Sequence, residues 1–308
     1  MASLILHHYD LSPFSEKVRL AFGAKAIAWR SVEIPIWPPK PDLMPMTAGY
    51  RRAPVLQIGA DIYCDTLLIL SEIDRLHPTP SLYPGDQHGL VAALSWWADT
   101  TMFMQAATLT TSIIGDGIPD AFIQDRIAFM KHDFSKAASV EALPQNRQRV
   151  QAQMNLIADM LKDGRPFLLG PKVSAADLSA YHPLWFTAKN GGADVQALLN
   201  FAPLRAWMDR IAGLGHGQRE AFSGEAALAI ARAATPMPGT GVDAGDPSGL
   251  KGGEAVSLRT DEAGDPIRGV LVAANMREIV IRSETERAGI VHVHFPRIGY
   301  SLVAEKAA

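Results

Sequence analysis

The first 80 residues alternate between short apolar runs and amphipathic segments, and the order of these segments restricts the folds open to the chain. The run "SLILHHYD" (Ser3–Asp10) predicts a strand, "SPFSEKVRLAFGAKAI" a helix, and "WRSVEIPI" a second strand. Two shorter runs, "APVLQI" and "IYC", flank the turn "GAD" and predict a hairpin, and "DTLLILSEIDRLHP" predicts a second helix that Pro78 ends. The order β-α-β, then β-β-α, indicates a compact α/β domain over residues 1–80.

The remainder of the chain divides into three further segments. After the turn-rich "PTPSLYPGD", apolar residues recur at helical spacing, which predicts an all-helical domain over residues 88–232. Pro and Gly crowd residues 235–253, which we interpret as a linker. Beyond it, "EAVSLRT", "IRGVLVAA", "REIVIRS" and "GIVHVHFP" alternate apolar and polar residues, so residues 254–308 are predicted to form a small antiparallel β-domain of four or five strands.

Composition limits the classes of function. The 308 residues are 48% hydrophobic and 20% charged, with a net charge of −3 and no basic stripe, which argues against nucleic acid and anionic membranes as partners. No segment approaches the roughly 18 apolar residues of a membrane helix, and the N-terminus lacks a secretory pattern. Cys64 is the only cysteine, so an internal disulfide framework and a CxxC motif are excluded. We expect a cytoplasmic protein.

The start of the first predicted helix is the strongest candidate for chemistry. Ser12 is a good N-cap and Pro13 suits the first helical position. The partial positive charge there favours an anion, and a thiolate at such a terminus has its pKa lowered from about 8.5. The residues at this position are Ser12 and Ser15 rather than cysteines, so the sulfur would have to come from a bound thiol. The alternative is that Ser12 only begins the helix.

Four segments in order, "SPFSEKVRLAF", "RAPVL", "CDTLLILSEIDRL" and "RPFLLGPKVSAADLSAYHPL", resemble the glutathione S-transferase superfamily over about residues 3–225. The resemblance implies a multidomain fold, in which a thioredoxin-like N-terminal α/β domain that binds glutathione precedes an all-helical domain. The linker and the β-domain are not part of the family's usual pattern.

The resemblance also implies which residues meet glutathione. Ser12 falls at the position of the catalytic side chain in the serine-type and cysteine-type classes. Pro54 falls on the family's cis-proline, and Ala53 before it would bind the cysteinyl part of glutathione through its backbone. Asp65 and Thr66 match the acidic and hydroxyl pair that binds the γ-glutamyl group.

The resemblance also implies roles for several other positions. Lys40 and Arg52 are candidates for the glycyl carboxylate, whereas Ser174 and Asp177 match a capping box with a structural role. Tyr9 and Ser15 are rival hydroxyls, and which of the three hydroxyls contacts the thiol stays open. The residues predicted to line the apolar substrate pocket are Tyr9, Phe14, Trp97, Thr101 and Met104.

Two further features favour ordinary structural roles. Cys64 precedes the Asp65–Thr66 pair on a strand and is more typical of a small buried residue than of a reactive thiol. His292 and His294 share one face of a strand, but no third ligand is evident, so we predict no metal.

The predicted function is that of a glutathione transferase, with glutathione as co-substrate. Its thiolate would attack a hydrophobic electrophile, or a peroxide, and the resemblance implies a homodimer and a role in detoxification. The alternative is a non-catalytic binding or scaffold protein whose β-domain recruits a partner. A thiol transferase is disfavoured, because a hydroxyl at position 12 cannot form a mixed disulfide.

Overall fold

A computed structural model describes residues 3–260 and 264–305. The predicted domain ranges also include residues 1–2, 261–263 and 306–308, which lie outside the described residues. The chain forms two compact units. The first contains the described residues of the segments 1–10, 28–69 and 218–308, and the second contains residues 11–27 and 70–217.

The strands of the first unit form one ten-stranded sheet. In chain order they are β1 (Ile5–His8), β2 (Ala28–Glu33), β3 (Val55–Ile58), β4 (Asp61–Cys64), β5 (Gln218–Ala221), β6 (Ala255–Thr260), β7 (Ile267–Ala274), β8 (Glu278–Thr285), β9 (Gly289–Pro296) and β10 (Tyr300–Ala304). Across the sheet their order is β10-β6-β7-β8-β9-β4-β3-β1-β2-β5.

The N-terminal part of this sheet has the predicted thioredoxin-like topology. β1 pairs with β2 in parallel and with β3 antiparallel, and β3 and β4 form the predicted hairpin. The helix α1 (Pro13–Ala24) follows β1, and α2 (Thr66–Leu76) follows β4. Every side chain of β1 and β4 is buried, including the polar residues His7, His8 and Asp61.

The strand-rich region predicted near the C-terminus is present, and it continues the same sheet. β6 to β10 pair antiparallel with one another, as their alternation predicts. β9 then pairs in parallel with β4, with Ile62 opposite Val293. Both residues belong to a single apolar core that also contains Leu258 and Phe295. Without β9, the N–H and C=O groups on that side of β4 would lie at an open sheet edge.

Residues 218–253 differ from the sequence pattern in detail. Helical periodicity extends to Arg232, but the structure contains the short exposed strand β5, parallel to β2, before α10 (Gly224–Ala233). The Pro/Gly-rich stretch 235–253 has no helix and is held along β7. The Asp243 N–H donates to Ala274 O at 2.9 Å, and the Gly253 N–H donates to Leu271 O at 2.8 Å.

The second unit is helical and contains most of the helical part that the sequence predicts over residues 88–232; residues 218–232 belong to the first unit. Besides α1 and most of α2, its helices are α3 (His88–Trp97), α4 (Phe103–Ile114), α5 (Asp120–Met130), α6 (Lys136–Glu141), α7 (Leu143–Leu161), α8 (Ala175–Leu198) and α9 (Arg205–Ala212). The predicted long helix after Leu90 is interrupted by a π-helical turn, Ala98–Met102, between α3 and α4. No helix in the described part of the chain is long and apolar enough to cross a bilayer.

A buried carboxylate organises the start of α8, the helix that contacts α1, α3 and α4. Ser174 and Asp177 form the predicted capping box. Asp177 Oδ1 also accepts from the Leu168 N–H at 2.7 Å and from Trp207 Nε1 at 3.0 Å. The capping pair therefore also ties the preceding loop and α9 to α8.

Candidate functional site

The second unit presents Ser12 at the head of α1. Ser12 has an extended backbone, its Oγ accepts from the Ser15 N–H at 3.1 Å, and Pro13 begins the helix. Ser12 is therefore the N-cap, as predicted. The cap uses an acceptor site of the hydroxyl and leaves its hydrogen for donation, while the first N–H groups of α1 favour an anion.

A second hydroxyl lies in the first turn of the same helix. Ser15 Oγ is buried and has no hydrogen-bond partner within residues 3–260 and 264–305. Tyr9, the third candidate, belongs to the first unit, where it packs on the apolar core with Lys40 Nζ 5.9 Å from its ring centre. Which of these hydroxyls meets a thiol stays a prediction.

Sequence reasoning missed a buried charge network that holds α1. Lys17 Nζ donates to Asp99 Oδ2 at 2.6 Å, and His182 Nε2 lies 2.9 Å from Asp99 Oδ1. Burial raises the pKa of Asp99, but the Lys17 ammonium and the His182 bond outweigh it and lower the pKa overall. Burial lowers the pKa of His182 to about 4, so a neutral imidazole donates to the carboxylate.

Apart from Tyr9, the residues predicted to line an apolar pocket fall on α1, α3, α4 and the π-helical turn between α3 and α4. Phe14 is half-buried, with its ring centre 4.7 Å from Phe103 and 4.6 Å from His182. Trp97 and Met104 are half-buried and Thr101 is exposed. Asp99 and Thr101 belong to the π-helical turn, a feature that occurs frequently at functional sites.

In the first unit, the other predicted glutathione residues lie on the loop before β3 and at the start of α2. The Ala53–Pro54 bond is cis, as the resemblance implies. Asp65 has φ 72°, a conformation uncommon for a residue with a side chain, and its Oδ1 accepts from the Leu67 N–H at 3.0 Å. Thr66 is the first residue of α2. The N–H groups at this helix start can bind a carboxylate.

Two buried tyrosines that sequence reasoning missed lie beside Asp65. The Tyr300 hydroxyl is 3.4 Å from Asp65 Oδ2 and also hydrogen-bonds with Tyr50. Burial raises the pKa of both tyrosines, with Asp65 adding to it and Arg52 opposing it. Burial likewise raises the pKa of Cys64, so its thiol stays protonated.

The two basic candidates have different surroundings. Lys40 is buried, and its Nζ donates to Arg51 O at 2.9 Å, which holds the loop before β3. Arg52 is partly exposed and close enough to act on both tyrosines. Their contact with a glycyl carboxylate stays a prediction.

The histidine pair on β9 has a structural environment. His294 Nε2 is 3.0 Å from Asp61 Oδ1 and its Nδ1 is 2.7 Å from Glu278 Oε1. Burial lowers the pKa of His294, but the two carboxylates outweigh it and raise the pKa overall. Within the described residues, no group of three or more His, Cys, Asp or Glu side chains is arranged to hold a metal ion.

Comparison with known proteins finds family models that match two segments of the chain. Residues 6–81 match "Glutathione S-transferase, N-terminal domain" and residues 140–210 match "Glutathione S-transferase, C-terminal domain". The crystal structure of a GST-like protein from Pseudomonas syringae is 37% identical, with a TM-score of 0.82 over 99% of this chain and 100% of that chain. A glutathione S-transferase from Rhodospirillum rubrum shares the fold at 20% identity and a TM-score of 0.52, over 68% of this chain and 87% of its own.

Two relatives by sequence have different names. FtsZ-localized protein A of Caulobacter vibrioides is 22% identical over 186 residues, covering 57% of this chain and 73% of its own. A probable glutathione S-transferase of Solanum tuberosum is 28% identical over 96 residues, covering 31% of this chain and 44% of its own. Together with the near full-length similarity to the Pseudomonas syringae protein, these matches show that the chain belongs to the glutathione S-transferase superfamily.

Proposed function

We propose that this protein is a glutathione transferase in which Ser12 and the start of α1 stabilise the thiolate of bound glutathione. The observation that carries the proposal is the geometry of Ser12. Its Oγ already accepts from the Ser15 N–H at 3.1 Å, so the hydroxyl is oriented and its hydrogen is available to an anion. The thiol loses its proton to solvent, and the helix terminus and hydroxyl then favour the anion.

The residues that match the family's glutathione-binding positions recognise the tripeptide. The ammonium of the γ-glutamyl end pairs with Asp65, and its carboxylate accepts from Thr66 and the first N–H groups of α2. The backbone of Ala53 binds the cysteinyl part, and Lys40 or Arg52 meets the glycyl carboxylate. These assignments rest on the family membership and on the position of Asp65 and Thr66 at the start of α2.

The reaction is a displacement by sulfur. The thiolate forms a C–S bond to an electrophilic carbon, and the leaving group departs with the bonding electron pair. Half-buried apolar side chains such as Phe14, Trp97 and Met104 hold the hydrophobic substrate. A peroxide is a second possible electrophile. We further propose a cytoplasmic homodimer that acts in detoxification.

One comparison favours a second candidate function. A relative of this chain is named for its localisation with FtsZ rather than for a transferase activity. The strand-rich region after residue 254, absent from the usual family pattern, would then recruit a partner protein without catalysis.

The two functions separate on immobilised glutathione and in a conjugation assay with an activated aryl halide. The transferase is retained by the resin and turns over, and Ser12→Ala lowers kcat/KM by about 10²–10³-fold. Ser15→Ala tests the rival hydroxyl. It removes a hydroxyl from the same turn without removing the cap, and we expect kcat/KM to change less than about threefold because Ser12 is the proposed thiol ligand. An absence of both retention and turnover with a broad electrophile panel would favour the scaffold.

A further inference from the structure

We propose that the C-terminal strands complete the glutathione site through Tyr300, whose hydroxyl positions the Asp65 carboxylate for the ammonium group of the γ-glutamyl end. The inference rests on the proposed function and assigns a role in ligand binding to a region outside the usual family pattern. Tyr300 acts through Asp65, so it is a positioning residue.

The position of Tyr300 is fixed by its strand and by aromatic packing. It is the first residue of β10, paired with Thr260 of β6, and it is 6% exposed. Its ring centre is 5.4 Å from Phe295, which is 5.7 Å from Tyr50. The hydroxyl therefore reaches Asp65 Oδ2, 3.4 Å away, from a rigid support. This is longer than the usual O–H···O distance of about 2.7–2.8 Å.

Both oxygens of Asp65 are then held. Oδ1 accepts from the Leu67 N–H at 3.0 Å and Oδ2 faces the Tyr300 hydroxyl. Each carboxylate oxygen can accept two hydrogen bonds, and these two contacts help to fix the rotamer of Asp65. Asp65 also has φ 72°, a conformation that persists where surrounding contacts hold it. Tyr300 is one of those contacts.

The charges around Asp65 suit a zwitterionic amino-acid group. Burial and Asp65 raise the pKa of Tyr50 and Tyr300, so both phenols remain neutral donors. An amino-acid end carries an ammonium and a carboxylate on one carbon, and it therefore needs an acceptor next to a donor. Asp65 is the acceptor, and Thr66 at the start of α2 is the donor.

The test uses the full chain, calorimetric titration and two S-alkylated probes. S-hexylglutathione carries the γ-glutamyl group and S-hexyl-cysteinylglycine lacks it. In Tyr300→Phe, we expect the Kd of the first probe to rise by about five- to tenfold and that of the second to stay constant. In turnover, the KM for glutathione rises by a similar factor while kcat is retained. Ser301→Ala is the matched control, because it removes an exposed hydroxyl from the next residue of β10.

Each other outcome is decisive. If Tyr300→Phe binds S-hexylglutathione as tightly as the wild type, the inference is wrong and the proposed function stands. If the affinities for both probes fall together with the unfolding midpoint, Tyr300 has only a structural role and the inference is again wrong. If the wild-type protein binds neither probe nor glutathione, both the proposed function and the inference are overturned.

Discussion

The ion pair that anchors α1 gives a prediction that can be worked through in detail. Lys17 Nζ and Asp99 Oδ2 are 2.6 Å apart, and their side chains are 0% and 9% exposed. The change Lys17→Met preserves the length and apolar stem of the side chain and removes its charge. It leaves the Asp99 carboxylate buried, with the neutral His182 ring as a remaining donor.

The expected loss in the free energy of unfolding is large, because Lys17→Met leaves the Asp99 carboxylate buried without its cation. Removing one partner of a buried pair costs about 3–5 kcal/mol, whereas an exposed pair contributes about 0–1 kcal/mol. Lys162 and Asp159, 3.9 Å apart and both more than 70% exposed, provide the matched surface case. Lys162→Met should change the free energy of unfolding by less than about 0.5 kcal/mol. Adding Asp99→Asn to Lys17→Met removes the stranded charge and should recover about 2 kcal/mol.

Urea unfolding followed by tryptophan fluorescence measures these differences, since four of the six tryptophans lie in the second unit. The pH dependence of the free energy of unfolding provides a second test, because the direction of its change is predicted. The lowered pKa of Asp99 stabilises the wild type above the ordinary value of about 3.9, and this stability is lost as pH falls through the lowered pKa. Lys17→Met lacks that contribution, so its deficit narrows as pH falls. A loss below about 1 kcal/mol at neutral pH, or no recovery in the double variant, would refute the reasoning.

Two further predictions concern stability. His294 gains carboxylate partners, and its pKa is raised. Its contribution to the free energy of unfolding is therefore fully present below about pH 6.5 and is lost as pH rises through the raised pKa. When the urea midpoint is measured over a pH series, His294→Gln should therefore lose less stability with rising pH than the wild type. Burial lowers the pKa of His292, so this residue makes stability rise with pH, and His292→Gln should remove that rise. The same dependence of the urea midpoint on pH in the two variants would contradict this assignment. At Gly23 of α1 a Cβ would lie 2.0 Å from a backbone oxygen, so Gly23→Ala should lower the free energy of unfolding by about 2 kcal/mol or more. Gly89→Ala, a helical position with open space, should stabilise by about 0.5–1 kcal/mol in thermal or urea unfolding, and similar midpoints for the two alanine variants would contradict the packing argument.

Features specified by neighbouring residues could be predicted from the sequence. Ser12 and Pro13 begin α1, and Ser174 and Asp177 cap α8, because each uses contacts within three or four residues. The alternation after residue 254 likewise predicted strands. These local rules, taken in order along the chain, were sufficient to identify an α/β part and a helical part, and the resemblance to the family implied that the first is thioredoxin-like.

Features that depend on distant pairing could not be predicted. Alternation specifies that β9 is a strand but does not identify β4, some 230 residues earlier, as its neighbour. From the sequence alone, Lys17 on an amphipathic helix is expected to face solvent. Its contact with Asp99, which is distant in the sequence, is visible only in the folded chain. Tyr300 and Asp65 are 235 residues apart, so their contact is visible only in the folded chain.

The stabilisation of a bound thiolate by Ser12 is tested most directly by titrating glutathione on the protein and following the ultraviolet absorbance of its thiolate. For the wild type, we predict a thiol pKa at least about one unit below the free value of about 8.5, and a return toward that value in Ser12→Ala. A bound thiol that titrates at the free value in the wild type, or identically in both proteins, would contradict the account.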